Sequence, residues 1–228
     1  FTDDSVLSIA LAHSLMHRIP YTKNLKAFYT RYPNAGYGGT FAIWAGSEQT
    51  DPYYSFGNGS AMRVSPVGWF FNDAASVLDQ AQASAAVTHD HPEGIKGAQA
   101  IALAVFLARQ GADRDTIQNQ IQEAFAYDLN QPLDQIRPTY RFDVTCQGSV
   151  PQALCAFLQS TDFEDAVRNA VSLGGDSDTQ ACMAGAVAEA FYGGVPRFIA
   201  LEALARLDSH LRQVVQDFLA FFDTHIHF

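Results

Sequence analysis

The 228-residue sequence is poor in cysteine, and its three cysteines lie at Cys146, Cys155 and Cys182. Their number is odd and no two of them are spaced as a CxxC pair. A disulfide framework and a zinc knuckle are therefore both excluded as the organising feature of the fold. This cysteine usage is typical of a reducing compartment, and we expect a cytoplasmic protein.

Basic residues are also scarce, with 14 Lys and Arg against 24 Asp and Glu and a net charge of −10. No cluster of basic residues offsets this charge, so neither a nucleic-acid backbone nor an anionic membrane is expected as the main partner. No hydrophobic run approaches the length of a membrane span, and no signal peptide is visible. An acidic protein can still bind a phosphate-bearing small molecule through backbone N–H groups and a divalent cation.

Helical periodicity runs through most of the chain, and 48% hydrophobic residues support a substantial core. We predict one all-α domain over residues 1–228, a compact orthogonal helical bundle. Phe41–Ala45 can be either helix or extended, and Thr139–Val144 is the one candidate extended piece. Because Phe1–Asp4 reads like the middle of an element, we also expect an upstream segment to be missing. The predicted helices are 4–17, 24–32, 73–86, 93–109, 113–125, 150–158, 162–173, 178–192, 196–205 and 209–222.

An acidic turn, Gly174–Thr179, opens directly into a helix of small residues. The two glycines permit a tight, positive-φ approach of the backbone. Asp176, Asp178 and the Thr179 hydroxyl can then converge on one point, and oxygen-only ligands suit Mg²⁺, Mn²⁺ or Ca²⁺. The alternative is that one aspartate merely caps the helix N-terminus. We interpret the turn as half of a metal site, with the cap left open.

A second acidic cluster, Thr2-Asp3-Asp4, repeats this chemistry at another helix start. Two such clusters indicate a binuclear site in a central cleft, with metal ions roughly 3.5 to 4 Å apart. Two separate helix caps are the alternative.

Four motifs occur in the order found in ADP-ribosylglycohydrolases, and the chain resembles that family, of the dinitrogenase-reductase-activating glycohydrolase type, as far as about Pro196. The motifs are Thr2–Ser5, Tyr54–Arg63, Thr88-His89 and Gly174–Thr179. The resemblance implies an all-α fold with two divalent cations, Mg²⁺ or Mn²⁺. It also implies hydrolysis of the bond between ADP-ribose C1″ and an acceptor such as arginine, serine or an acyl group. Family members normally begin with a Gly-Asp-containing helix and a nearby Glu, which this sequence lacks.

The resemblance assigns roles residue by residue. The implied metal ligands are Thr2, Asp3, Asp4, Asp176, Asp178 and Thr179. The implied loops around the diphosphate and distal ribose contain Gly38, Gly39, Ser55, Phe56, Gly57, Asn58 and Gly59, and His89 lines the same cleft. By resemblance Phe56 stacks on adenine, although core packing is its alternative, and His89 can instead be an ordinary loop histidine. His91, His225 and His227 match nothing in the pattern and are interpreted as surface residues.

We therefore predict a metal-dependent hydrolase that acts on an ADP-ribose-containing substrate, such as an ADP-ribosylated protein. Asp3, Asp4 and Asp178 are the candidate catalytic groups, because one of them must accept the proton of the attacking water. Two alternatives stay open: a catalytically silent ADP-ribose-binding or regulatory protein of the same fold, and hydrolysis of a different phosphate-containing glycoside. The size and single core predict a monomer or a weak oligomer.

Overall fold

Helices form all the regular structure in residues 1–222, the part of the chain that this computed structural model describes. A single isolated antiparallel bridge, between Gly57 and Thr145, is the β-type pairing within that part. The predicted all-α class is confirmed. In chain order the helices are α1 (Asp3–His17), α2 (Tyr21–Arg31), α3 (Gly39–Ala45), α4 (Gly59–Met62), α5 (Ser65–Phe70), α6 (Ala74–Ala86), α7 (Pro92–Arg109), α8 (Arg114–Phe125), α9 (Leu133–Ile136), α10 (Cys146–Leu158), α11 (Phe163–Ser172), α12 (Ser177–Tyr192), α13 (Arg197–Ala205) and α14 (Ser209–Phe221).

Two helices, α7 and α12, lie at the centre of the packing. Helix α7 contacts α4, α5, α6, α8, α10 and α12, and α12 contacts α10 and α11 as well. Ala184, Gly185 and Ala188 of α12 are buried, as expected for a small-residue helix that lets its neighbours approach closely. A Cβ added at Gly185 would lie 3.4 Å from Val167 Cγ2 of α11, which is ordinary contact distance. The N-terminus of α12, where the acidic turn lies, is thereby anchored in the core.

Several predicted boundaries change. The stretch left undecided at Phe41 is helical, within α3, and the short helices α4, α5 and α9 were not predicted. Helix α10 begins at Cys146 rather than Val150, because Thr145 caps it: the Thr145 hydroxyl accepts from the Gly148 amide at 3.1 Å. Proline is most common in the first turn of a helix, but here Pro151 lies inside α10.

The prediction of an extended piece at Thr139–Val144 is wrong, since this stretch is irregular. Its end is tied to the loop before α4 by two backbone hydrogen bonds, from Asn58 N to Val144 O at 2.8 Å and from Cys146 N to Phe56 O at 2.9 Å. Two bonds hold the segments together without building a ladder. This tie brings residues just before α10 to the edge of the candidate site.

No helix among residues 1–222 is long and apolar enough to cross a membrane. Of the histidines interpreted as surface residues, His225 and His227 lie outside the described residues. His91 is half-buried and caps α7, where its Nδ1 accepts from the Glu93 amide at 3.0 Å.

Candidate active site

A cleft of about 430 Å³ brings together residues that are far apart in the sequence. It lies at the N-termini of α1, α3, α4 and α12, where backbone N–H groups and acidic side chains meet. All but two of the predicted site residues line it. The exceptions are Thr2 and Phe56. The predicted residues that line the cleft are Asp3, Asp4, Gly38, Gly39, Ser55, Gly57, Asn58, Gly59, His89, Asp176, Asp178 and Thr179.

The first acidic cluster is not a helix cap. Thr2 occupies the N-cap position of α1 but makes no capping hydrogen bond with its side chain. Its hydroxyl instead donates to Asp4 Oδ2 at 2.8 Å. Asp4 is 5% exposed, and its second oxygen, Oδ1, is buried with no hydrogen-bond partner among the described residues. A buried acceptor without a donor calls for a ligand, because burying it unpaired costs about 1–3 kcal/mol.

The second acidic cluster has the backbone that the sequence predicted. Gly174 and Gly175 have φ values of +75° and +71°. Asp176 is the N-cap residue of α12, yet it makes no capping bond. Its Oδ2 accepts from the Asn58 side-chain amide at 2.8 Å, across the cleft from α4. The cap alternative therefore fails for Asp176, whose carboxylate turns towards the cleft instead of its own helix.

Burial, together with nearby negative charge, raises the pKa values of three aspartates in the cleft, Asp3, Asp4 and Asp176. Burial raises the pKa of Asp3 to about 7, and the neighbouring Asp4, Asp178 and Asp176 carboxylates add to the effect. Burial also raises the pKa of Asp4 and of Asp176, with the charge on Asp178 contributing to both. Within residues 1–222 none of the four carboxylates belongs to an ion pair with Lys, Arg or His. The site concentrates negative charge that the described side chains do not neutralise.

The donor set suits a hard cation, since carboxylates and hydroxyls are the ligands of Mg²⁺ and Mn²⁺. The unpartnered Asp4 Oδ1 fits this chemistry. As the side chains stand, no three His, Cys, Asp or Glu residues of the described chain are grouped closely enough to hold a metal ion. Threonine hydroxyls and water would have to complete the coordination, as is usual for Mg²⁺. The residues fit a divalent cation in chemistry, and the two-cation site stays a prediction.

The wall opposite the carboxylates is built from glycine-rich backbone. A Cβ at Gly38 or Gly39 would meet nothing within 4 Å, so this backbone is open to the cleft. Asn58 is 6% exposed and joins the wall to Asp176. The loop before it is fixed at Tyr54, which has a φ of +55° and whose amide donates to Asp90 Oδ1 at 2.7 Å. Exposed N–H groups of this kind can receive phosphate oxygens without Arg or Lys.

The aromatic rings that line the cleft in the described chain belong to Phe41, Tyr53 and Phe142, whereas Phe56, the ring assigned to adenine from the sequence, does not line it. Phe56 is 44% exposed, lies outside the cleft lining in the described chain, and packs on His91 with 5.2 Å between ring centroids. Phe142 lines the cleft and is 70% exposed, next to Val144 at 46%. Sequence reasoning missed both, because nothing in the irregular stretch before α10 marks a ligand-facing ring. Arg63, the last residue of the Tyr54–Arg63 motif, also lines the cleft, and the sequence analysis assigned it no role.

A larger cavity of about 620 Å³ lies elsewhere, between α1, α5, α12 and α14. Apolar side chains such as Trp69 and Val214 form most of its wall, and none of the predicted site residues takes part. Among the lining residues that the structure describes, the one carboxylate is Glu189, and burial raises its pKa to about 7. The smaller cleft is the candidate site, because convergent polar groups with perturbed pKa values matter more than volume.

An acidic cleft backed by glycine-rich loops, in an all-α domain, defines a helical protein with a candidate ligand-binding cleft. The sequence profile of the ADP-ribosylglycohydrolase family matches residues 1–225, and the chain belongs to this family. A solved structure, "ADP-ribosylglycohydrolase-related protein complex", superposes with a TM-score of 0.74 at 25% identity, covering 98% of this chain and 81% of the other.

The chain is also similar in sequence to ADP-ribosylhydrolases. The ADP-ribosylhydrolase ARH3 of Homo sapiens is 28% identical over 85% of this chain and 71% of its own length. The ARH3 of Gallus gallus is 27% identical, over 85% and 70%. The ADP-ribosylarginine hydrolase Tri1 of Pseudomonas putida (strain GB-1) is 26% identical, over 86% of this chain and 60% of its own length.

Proposed function

We propose that the chain hydrolyses the glycosidic bond between ADP-ribose and an acceptor on a protein side chain or small molecule, with two divalent cations, Mg²⁺ or Mn²⁺. One observation carries the proposal. Two acidic helix starts, neither used as a cap, face one cleft, and the buried Asp4 Oδ1 has no hydrogen-bond donor among residues 1–222. Carboxylates with a purely structural role would cap the helix N-terminus or form ion pairs.

The proposed ligands of the cations are the two sets Thr2, Asp3, Asp4 and Asp176, Asp178, Thr179. When bound, divalent cations supply Lewis acidity and lower the pKa of water in the site. Thr179 is suited to this role, since it is 5% exposed and its side chain hydrogen-bonds the Asp4 and Asp176 carboxylates, one from each acidic cluster.

Proton transfer falls to the same carboxylates. Asp3, Asp4 or Asp178 accepts the proton of the water that attacks C1″. Departure of the acceptor passes through an oxocarbenium-like state, whose positive charge nearby carboxylates stabilise.

The remainder of the cleft would hold the rest of ADP-ribose. Backbone around Gly38 and Gly39 is open to receive the diphosphate. The Gly57 and Asn58 amides also lie at the cleft, but they already donate to Ser55 Oγ at 3.1 Å and to Val144 O at 2.8 Å. Phe142 offers an exposed ring face for adenine. The role of Phe56 on adenine stays a prediction from resemblance, and the contact with His91 argues for Phe142 instead.

The relatives are named for different ADP-ribosylated substrates, which bears on the acceptor group from which this chain would release ADP-ribose. Tri1 is named for ADP-ribosylarginine and ARH3 as an ADP-ribosylhydrolase, and this chain is similar to both at 24–28% identity. The dinitrogenase-reductase-activating subtype stays a prediction.

The test is a substrate panel of peptides that carry ADP-ribose on serine or on arginine, with free ADP-ribose as the measured product. We expect release from at least one of them in the presence of Mg²⁺. Tight ADP-ribose binding with no release from any substrate would contradict the proposal and identify a binding protein of the same fold.

Phe142→Ala should weaken ADP-ribose binding by about tenfold or more, because base–aromatic stacking contributes roughly 1–3 kcal/mol per base. Isothermal titration calorimetry with ADP-ribose and with ribose 5-phosphate measures the effect. Phe56→Ala is the matched control and should change affinity less. An equal loss of affinity for both ligands in Phe142→Ala would show that the Phe142 ring does not stack on adenine, because ribose 5-phosphate contains no adenine.

A further inference from the structure

A buried chain of three polar side chains runs beneath the glycine-rich wall of the cleft. Arg63 Nη2 donates to Thr88 Oγ1 at 2.8 Å, and Thr88 Oγ1 lies 2.7 Å from His89 Nδ1. Arg63 and Thr88 are fully buried, and His89 is 5% exposed. The chain connects the core between α4 and α6 to the floor of the cleft, where Arg63 and His89 both take part in the lining.

The direction of the hydrogen bonds follows from the proton inventory. A guanidinium carries only donors, so Thr88 Oγ1 must accept from Arg63. Burial lowers the pKa of Arg63 to about 10, which leaves it charged at neutral pH. Tyr53 shares a side-chain hydrogen bond with Thr88. When the neutral phenol donates to the second lone pair of Thr88 Oγ1, the single proton of the Thr88 hydroxyl is left for His89 Nδ1.

With Nδ1 as an acceptor, the proton of neutral His89 sits on Nε2. Nε2 has no hydrogen-bond partner among the described residues, and it faces the backbone of Gly57 and Gly59. A Cβ would lie 3.6 Å from Nε2 at Gly57 and 3.3 Å at Gly59. The two glycines therefore leave Nε2 uncovered. Burial, together with the charge of Arg63, lowers the pKa of His89 well below its ordinary value of 6.5, so the ring stays neutral.

Arg63 has further unused capacity. Its Nε and Nη1 are buried and have no hydrogen-bond partner within residues 1–222, and Nη2 also donates to Ser84 O at 3.0 Å. No carboxylate forms an ion pair with it in that part of the chain. A buried, unpaired positive charge below backbone N–H groups favours an anion above them. This is the reverse of the charge at the carboxylate end of the cleft.

We propose that Arg63 and Thr88 are positioning residues that hold His89 as the Nε2–H tautomer, so that its Nε2–H donates to an oxygen of the substrate diphosphate. The proposal rests on ADP-ribose as the ligand of the cleft. The Arg63 charge acts through Thr88, and His89 is the member that touches the ligand.

The first test is the tautomer itself, read from the ¹⁵N shifts of the His89 imidazole in the labelled, ligand-free protein. We expect a protonated Nε2 and a bare Nδ1 from pH 6 to pH 8 in the wild type and in Thr88→Ser. Thr88→Val keeps the shape but removes the hydroxyl, and should move the proton to Nδ1 or give a mixture. A wild-type His89 protonated on Nδ1 would overturn the proposal whether or not the chain is a hydrolase.

The second test is ADP-ribose affinity by calorimetry. Loss of a hydrogen bond to a charged group is expected to weaken binding by about tenfold to a hundredfold. We expect this loss in Thr88→Val but not in Thr88→Ser, and in His89→Asn but not in His89→Gln, whose amide nitrogen can reach the Nε2 position. Equal affinities within each pair would overturn the proposal. Absence of ADP-ribose binding in the wild type would contradict the proposed function instead, and the tautomer measurement would still decide the positioning role. If Thr88→Val does not fold, the comparison of His89→Asn with His89→Gln and the wild-type ¹⁵N spectrum still test the proposal.

Discussion

Asp4→Asn lowers the rate of ADP-ribose release by about 10³-fold or more, because removing a metal-ligating carboxylate forfeits several kcal/mol of transition-state stabilisation. The same change leaves the metal-free protein at least as stable as the wild type. Asp4 Oδ1 has no donor to lose, and the substitution removes one of several crowded negative charges. Steady-state kinetics with Mg²⁺ and urea unfolding in EDTA measure the two effects.

The matched control is Asp115→Asn, an exposed acidic residue in the first turn of α8, away from the cleft. It removes the same charge and should change neither quantity. If Asp4→Asn keeps its activity, or loses activity only because it unfolds, then the carboxylate is structural and the account of the cleft fails.

Gly175→Ala is expected to have the second large effect, a loss of about 2–5 kcal/mol of stability together with most of the activity. Gly175 has a φ of +71°, and a Cβ there would lie 2.7 Å from Cε1 of the Tyr140 ring. That ring cannot move freely, because its hydroxyl accepts from the side-chain amide of the fully buried Gln180 at 2.7 Å. The turn must shift, and Asp176 and Asp178 shift with it. A displacement near 1 Å costs about 10²-fold in rate.

Gly174→Ala separates steric contact from backbone strain. Gly174 has a φ of +75°, but a Cβ there would meet nothing within 4 Å. It should lose about 1–2 kcal/mol from the positive φ alone. Thermal unfolding and the release assay on both variants give the comparison. Equal losses in the two variants would show that Tyr140 does not hold the turn.

The sequence predicted the parts of the fold whose signals are local. Helix α1 was found from apolar periodicity, α12 from its run of small residues, and the positive φ at Gly174 and Gly175 from the glycine pair. The convergence of the two acidic clusters needed more. It came from their matching chemistry and from the order of the motifs, because the packing that joins α1 and α12 leaves no local trace in either segment.

The missed features depend on tertiary contacts. Helices α4 and α5 are only four and six residues long, too short for periodicity to mark them. Phe142 reaches the cleft because two backbone bonds tie the stretch before α10 to Asn58 and Phe56. Arg63 looks in sequence like a surface charge, and only the fold shows that it is fully buried beneath the cleft.

The most direct test of the central claim is the ADP-ribose release assay on the wild-type protein after treatment with EDTA and again after Mg²⁺ or Mn²⁺ is returned. The account predicts release before treatment, its loss in EDTA and its recovery with either cation. Release that continues undiminished in EDTA, or no release from any substrate with cations present, would contradict it.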